Sequence, residues 1–186
     1  MGFHTFPVER ADQLDDPARY RFCSLEELVY ALDLTPTDTV LDIGAGTGFY
    51  TLGVAPHAET TIGLDIQHRM AEHLMDRDDR PPDVSPVVAG TDALPLADGT
   101  VDVAFSTMTF HEYSTAQSHA ELHRVLRPDG RLVAVDWRRD GTGEDGPSLE
   151  ERFSLEEAVS QLQGAGFHIL RAESRPETYL LTARPR

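Results

Sequence analysis

At 186 residues with a hydrophobic fraction of 40%, the chain fits one domain large enough to bury a core. Its 32 acidic side chains against 16 basic ones, a formal charge of −16, exclude nucleic acid and anionic membrane surfaces as natural partners, because like charges repel. The single cysteine, Cys23, excludes an intrachain disulfide and a cysteine-rich metal site, and no metal site is expected.

The N-terminus, MGFHTFPVER, lacks a basic start followed by an apolar core, so no signal peptide is expected. No apolar run approaches the roughly 20 residues of a membrane span. Cytoplasm is the expected compartment. The opening stretch to about Phe22 mixes proline, aspartate and aromatics with weak periodicity. Ser24 and Glu27 have capping-box spacing before a helix whose stripe is Leu25, Leu28, Val29 and Leu32.

From there strands and helices alternate. Val40–Ile43 reads as a buried strand and Phe49–Ala55 as a short helix ended by Pro56. Thr60–Ile66 is a second strand, and Gln67–Met75 a helix with Met70 and Leu74 on one side. Val84–Ala89 is a third strand, and Pro86 makes it an edge strand or a late-starting one. Val101–Ser106 is a fourth strand, Thr115–Leu126 a helix, RPDG at 127–130 a turn, and Arg131–Trp137 a fifth strand. Residues 138–150 read as a mobile acidic loop. Ser154 and Glu157 cap a helix to about Gln163, which Gly164 and Gly166 end. Phe167–Ala172 and Thr178–Ala183 are joined by so short a link that they must pair antiparallel. The expected fold is α/β: a three-layer sandwich around a mostly parallel sheet made mixed by the C-terminal hairpin.

Gly44, Gly46 and Gly48 follow the first core strand and precede a helix. Bare backbone there lets a ligand approach the chain, and a helix N-terminus offers free N–H groups. The dinucleotide fingerprint is G-x-G-x-x-G, with a pyrophosphate over the helix. Here the spacing is G-x-G-x-G, and Asp42 stands two residues before the first glycine. A carboxylate repels pyrophosphate and attracts an ammonium group, which favours a nucleoside bearing an amino acid. Asp65 ends the second strand, where it can accept both hydroxyls of a ribose; Asp92 follows the third, where it can accept an exocyclic amine. Each alone could be a strand-end cap. Three acids just past consecutive parallel strands lie where open α/β sheets bind ligands.

This pattern resembles the class I S-adenosylmethionine-dependent methyltransferases, in the small-molecule methyltransferase type 11 group that includes the ubiquinone/menaquinone C-methyltransferases. VLDIGAGTGFYT resembles that family's first motif, GLDI its second, TDALPLADGTVDVAFS its third and fourth, and ELHRVLRPDGRLVAVDW its later helix–strand unit. The resemblance runs from about residue 35 to the C-terminus. It implies a Rossmann-like seven-stranded mixed sheet in the order 3-2-1-4-5-7-6, with S-adenosylmethionine as cofactor and S-adenosylhomocysteine as product. By position it implies that Asp42, Gly44, Ala45, Gly46 and Gly48 border the methionine part and that Asp65 holds the ribose. Ile66 and Met70 would flank the adenine, Asp92 and Ala93 would meet its amine and edge, and Ser106 would lie near the methionine.

A sulfonium methyl is already electrophilic, so the protein has to align a nucleophile and exclude water. His111, Glu112 and Tyr113, in TMTFHEY after the fourth strand, are the candidate catalytic groups. His111 could be a general base or a structural histidine; Glu112 could act there or cap the next helix; Tyr113 could orient substrate or belong to the core. In related enzymes the N-terminal region often forms a lid. Residues 1–23 are expected to do so over a 24–186 catalytic core, with His4, Phe6 and Arg21 toward the acceptor and Tyr20 in packing. Trp137 lies at the same rim and could stack on an acceptor or pack inward.

The leading expectation is an enzyme that methylates a small-molecule acceptor. A nicotinamide-dependent oxidoreductase is opposed by Asp42 and the glycine spacing; a non-catalytic cofactor-binding module stays open. All basic residues are arginine, and the acid excess suits a salt-adapted cytoplasm or, alternatively, a GC-rich genome.

Overall fold

A computed structural model describes residues 5–186. Its seven strands are β1 Thr39–Ile43, β2 Thr60–Asp65, β3 Val84–Val88, β4 Val101–Thr107, β5 Leu126–Trp137, β6 Phe167–Ser174 and β7 Thr178–Pro185. They form one sheet in the order β3-β2-β1-β4-β5-β7-β6. The first five run parallel, while β7 pairs antiparallel with both β5 and β6. The hairpin and the edge position of β3 are as the sequence predicts. Pro86, which has no N–H to donate, sits in that edge strand.

The helices are α1 Leu25–Leu32, α2 Phe49–Val54, α3 His68–Met75, α4 Phe110–Tyr113, α5 Ala116–Val125 and α6 Leu155–Gly164. Alternation along the strands sorts them into two layers. Val40, Val103, Phe105 and Val135 face Leu28 and Leu32 of α1 and Tyr50 and Val54 of α2. Leu41, Ala104, Leu132 and Ala134 face Phe110, Leu122, Val125 and Leu162 of the other layer. Leu74 of α3 packs beside Ala55 and Val84. Burial on both faces explains why these strands are continuous apolar runs.

Four local expectations are revised. Ser24 caps α1 by accepting the Glu27 N–H at 3.2 Å, but the Glu27 carboxylate pairs with Arg175 instead of returning to the cap. The RPDG turn lies inside β5: Val101 pairs with Leu126 and Val103 with Arg131, so residues 127–130 bulge opposite Asp102. Arg127 anchors the bulge on that carboxylate at 2.5 Å. The 138–150 loop is tied down, because the buried Arg152 guanidinium donates to the carbonyls of Asp145 and Pro147 and lies over the Trp137 ring. Finally, the weakly periodic N-terminus forms two 3-10 helices, Val8–Asp15 and Pro17–Arg21. Their three-residue repeat matches neither the helix nor the strand pattern.

Candidate active site

The C-terminal ends of β1, β2, β4 and β5 open into a cavity of about 670 Å³, within the roughly 300–1,000 Å³ range of small-molecule pockets. Gly44, Ala45 and Gly46 form one wall. Gly44 and Gly46 have φ of 72° and 56°, a left-handed backbone that side chains disfavour. A Cβ on Gly44 would lie 2.7 Å from the Thr109 side chain.

Two carboxylates stand behind this wall. Asp65 Oδ2 accepts the Gly46 N–H at 2.9 Å and Oδ1 accepts the Gln67 N–H at 2.8 Å. Each oxygen keeps a lone pair, and the side chain lines the cavity. Burial raises its pKa, and the amide hydrogen bonds offset part of the rise. Asp42 is buried and accepts the Thr51 hydroxyl at 2.6 Å. Burial pushes it up to about 7, although Thr51 and Arg19 favour its ionised form.

Ile66, Met70 and Asp92 also line the cavity. Ile66 is 59% exposed, an apolar side chain at the rim with no partner over most of its surface. Three expected cofactor residues do not line it. Gly48 is turned toward α3, where a Cβ would meet Leu74 at 2.4 Å. Ala93 is exposed beyond the rim. Ser106 is buried, and its hydroxyl lies 3.0 Å from the Tyr113 hydroxyl.

The far end holds His111, Glu112 and Trp137. His111 Nδ1 lies 3.0 Å from both oxygens of Asp136, a fully buried residue at the end of β5. Burial disfavours the charged imidazole, but Asp136, then Glu112 and Glu151, outweigh it and raise its pKa. Glu112 is pushed up to about 7, mainly by burial, with His111 opposing. The Tyr113 hydroxyl is committed to Ser106, and burial raises its pKa. Trp137 is held between Phe22, in edge contact at 4.6 Å, and the Arg152 guanidinium.

The N-terminal 3-10 helices cover the opening. Thr47 donates to Asp15 at 2.8 Å, Gln67 donates to the Phe6 carbonyl at 3.0 Å, and Arg21 pairs with Asp145 at 2.7 Å. Phe6 and Arg21 line the cavity, and Tyr20 packs on Phe49 and Tyr50. His4 lies outside the described residues. No group of three or more His, Cys, Asp or Glu among the described residues is placed to hold a metal. None of their helices is long and apolar enough to cross a membrane.

Sequence reasoning missed Asp136 and Arg19. Asp136 had a signal: it is one more acid at the C-terminal end of a parallel strand, the rule that identified Asp65. Arg19 had none, because only the folded chain lays its guanidinium over Phe49 and Tyr50, 5.1 and 5.3 Å from the ring centroids, and beside Asp42.

Comparison with known proteins places the chain in a family. Residues 41–134 match the model of the methyltransferase domain family. A malonyl-[acyl-carrier protein] O-methyltransferase of Geobacter sulfurreducens is 39% identical over 62% of this chain and 43% of its own length. The Methylococcus capsulatus protein of that name is 33% identical over 75% of this chain and 55% of its own. The chain thus spans about half the length of these curated relatives. A crystal structure of an S-adenosylmethionine-dependent methyltransferase from Aquifex aeolicus superimposes with a TM-score of 0.87 at 28% identity, covering 96% of this chain and 98% of that one.

Proposed function

The chain belongs to the class I S-adenosylmethionine-dependent methyltransferase family, and from that membership we propose that it transfers a methyl group from S-adenosylmethionine to a small-molecule acceptor. The observation that carries the proposal is the pairing of Asp65 with Gly46 at the cavity wall, which joins a carboxylate with the acceptor atoms a ribose diol needs to a bare glycine backbone. The cradle suits this cofactor chemically. Asp42 is a buried carboxylate that lines the cavity and has a single hydroxyl partner among the described residues, and Ile66 offers an open apolar face to a flat base.

In this reading Asp42, Gly44, Ala45 and Gly46 border the methionine end, Asp65 accepts the ribose hydroxyls, and Ile66, Met70 and Asp92 surround the adenine. When bound, the cofactor supplies a methyl group activated on a sulfonium. The chain's part is to align the acceptor with that group and to keep water out. Residues 5–23 act as the cover over a 24–186 core, with Phe6, Arg21 and Trp137 toward the acceptor. A cytoplasmic, salt-adapted enzyme acting on neither nucleic acid nor membrane fits the acidic surface.

Calorimetry with S-adenosylhomocysteine and with NAD tests the cofactor assignment. Tight binding of the first alone is expected, and preference for NAD would refute it. Transfer of a labelled methyl group to molecules in a cell extract tests catalysis.

A further inference from the structure

At the acceptor end, one buried carboxylate organises the imidazole. Asp136 Oδ2 accepts the His111 N–H at 2.6 Å and Oδ1 accepts the Trp137 N–H at 2.8 Å. Both oxygens also face Nδ1 of His111. A carboxylate can only accept, so Nδ1 carries the proton in the neutral ring and the lone pair resides on Nε2. The ring lines the cavity, and Nε2 is the nitrogen left to it. Glu112 Oε1 is 3.9 Å from Nε2, too far for a hydrogen bond.

Building on the methyl-transfer reading, we infer that Asp136 is a positioning residue that presents the Nε2 lone pair of His111 to the acceptor, and that the acceptor is an uncharged molecule whose nucleophilic atom bears a proton. In the transfer, the acceptor's X–H bond breaks and its proton passes to Nε2. The X–H electron pair becomes the new bond to the methyl carbon, and the carbon–sulfur pair remains on sulfur as a thioether. Charges balance, because the positive charge of the sulfonium ends on the imidazole.

The surroundings suit that outcome. The groups facing the ring are acids from three elements: Asp136 of β5, Glu112 of α4 and Glu151 of the 138–153 loop. They favour an imidazolium. A carboxylate acceptor has no proton to give to Nε2. Trp137, Phe22 and Met108 line the same end and suit an apolar or aromatic body.

The test is 15N–1H spectroscopy of the full chain with labelled histidine and bound S-adenosylhomocysteine, titrated from about pH 5 to 9. His111→Gln assigns the signal. The expected neutral ring carries its proton on Nδ1 and titrates above an ordinary histidine. In Asp136→Asn one oxygen becomes a donating NH2, so the proton should move to Nε2 and the midpoint should fall. Affinity for S-adenosylhomocysteine should stay within about twofold, because Asp136 is outside the cofactor cradle. Labelled methyl transferred to an extract should be stable to mild alkali and fall about 100-fold in both variants.

A wild-type ring protonated on Nε2 would overturn the positioning role without need of any variant. So would an Asp136→Asn spectrum identical to the wild type. An alkali-labile methyl ester as product would overturn the acceptor class. Failure to bind S-adenosylhomocysteine would instead defeat the methyl-transfer reading itself.

Discussion

Asp65 ties the glycine turn to the end of β2, taking the N–H of Gly46, 19 residues earlier, on one oxygen while the other takes that of Gln67. The carboxylate thereby shapes the glycine wall and presents its remaining lone pairs to the cavity. Asp65→Asn keeps one accepting oxygen and loses the charge. Loss of one or two charge-assisted hydrogen bonds, about 1.5–3 kcal/mol each, predicts at least a tenfold weaker affinity for S-adenosylhomocysteine by calorimetry. Unchanged affinity would remove Asp65 from the ribose site.

Asp42 and Glu112 both have folded pKa values of about 7, against about 3.9 and 4.3 in an unfolded chain. Between about pH 4 and 7 the folded state therefore holds protons that the unfolded state has released, and these groups lower stability as pH rises. His111, raised above its ordinary value, contributes stability that is full below its unfolded pKa and lost as pH rises through the folded one. Asp42→Asn removes one acidic contribution. Its melting temperature relative to wild type should climb from about pH 4 to 7 and then level off. A difference that is flat with pH would contradict this.

Binding should report the same proton. An ammonium group placed against Asp42 favours the carboxylate, so S-adenosylhomocysteine binding near pH 7 should release protons. Calorimetry in buffers of different ionisation enthalpy measures the release, and Asp42→Asn should reduce it.

Gly48 and Gly99 separate two costs of a side chain. Both have left-handed backbone, at φ 90° and 61°, but only at Gly48 would a Cβ strike a neighbour, Leu74 at 2.4 Å; nothing lies within 4 Å at Gly99. Gly99→Ala should cost about 1 kcal/mol and Gly48→Ala about 2–4 kcal/mol, read from chemical denaturation. Equal costs would mean that α3 yields freely.

The formal charge of −16 predicts a rise in melting temperature as KCl is added, since screening relieves repulsion among the acids. Exposed ion pairs such as Arg21–Asp145 would be weakened by the same salt, but each is worth only about 0–1 kcal/mol. A flat or falling curve would refute salt adaptation.

Legibility differed between the two ends of the site. The glycine end of the cavity is readable because local rules write it: a strand ending in an acid, glycines where the backbone must turn bare, and an apolar run on each side. Those rules located Asp42, Gly44, Gly46 and Asp65 from a few consecutive residues each. They did not separate glycines that line the cavity from Gly48, which is bare because α3 presses on it. That distinction depends on Leu74, distant in sequence. The family resemblance likewise implied that Ser106 lies near the methionine, yet its hydroxyl turns to Tyr113.

The sequence by itself determined the alternation of strands and helices, the antiparallel closing hairpin and the acids at successive strand ends, because these follow from side-chain period and chain reach. Only the tertiary structure decided which groups meet. Asp136 reaches His111 across 25 residues, and Arg19 comes to lie beside Asp42 when the N-terminal turns fold over the cavity. Such contacts depend on the register of β4 against β5 and on how the first 3-10 helices dock. They also set the proton affinities, because burial and partner charge are properties of the assembled site.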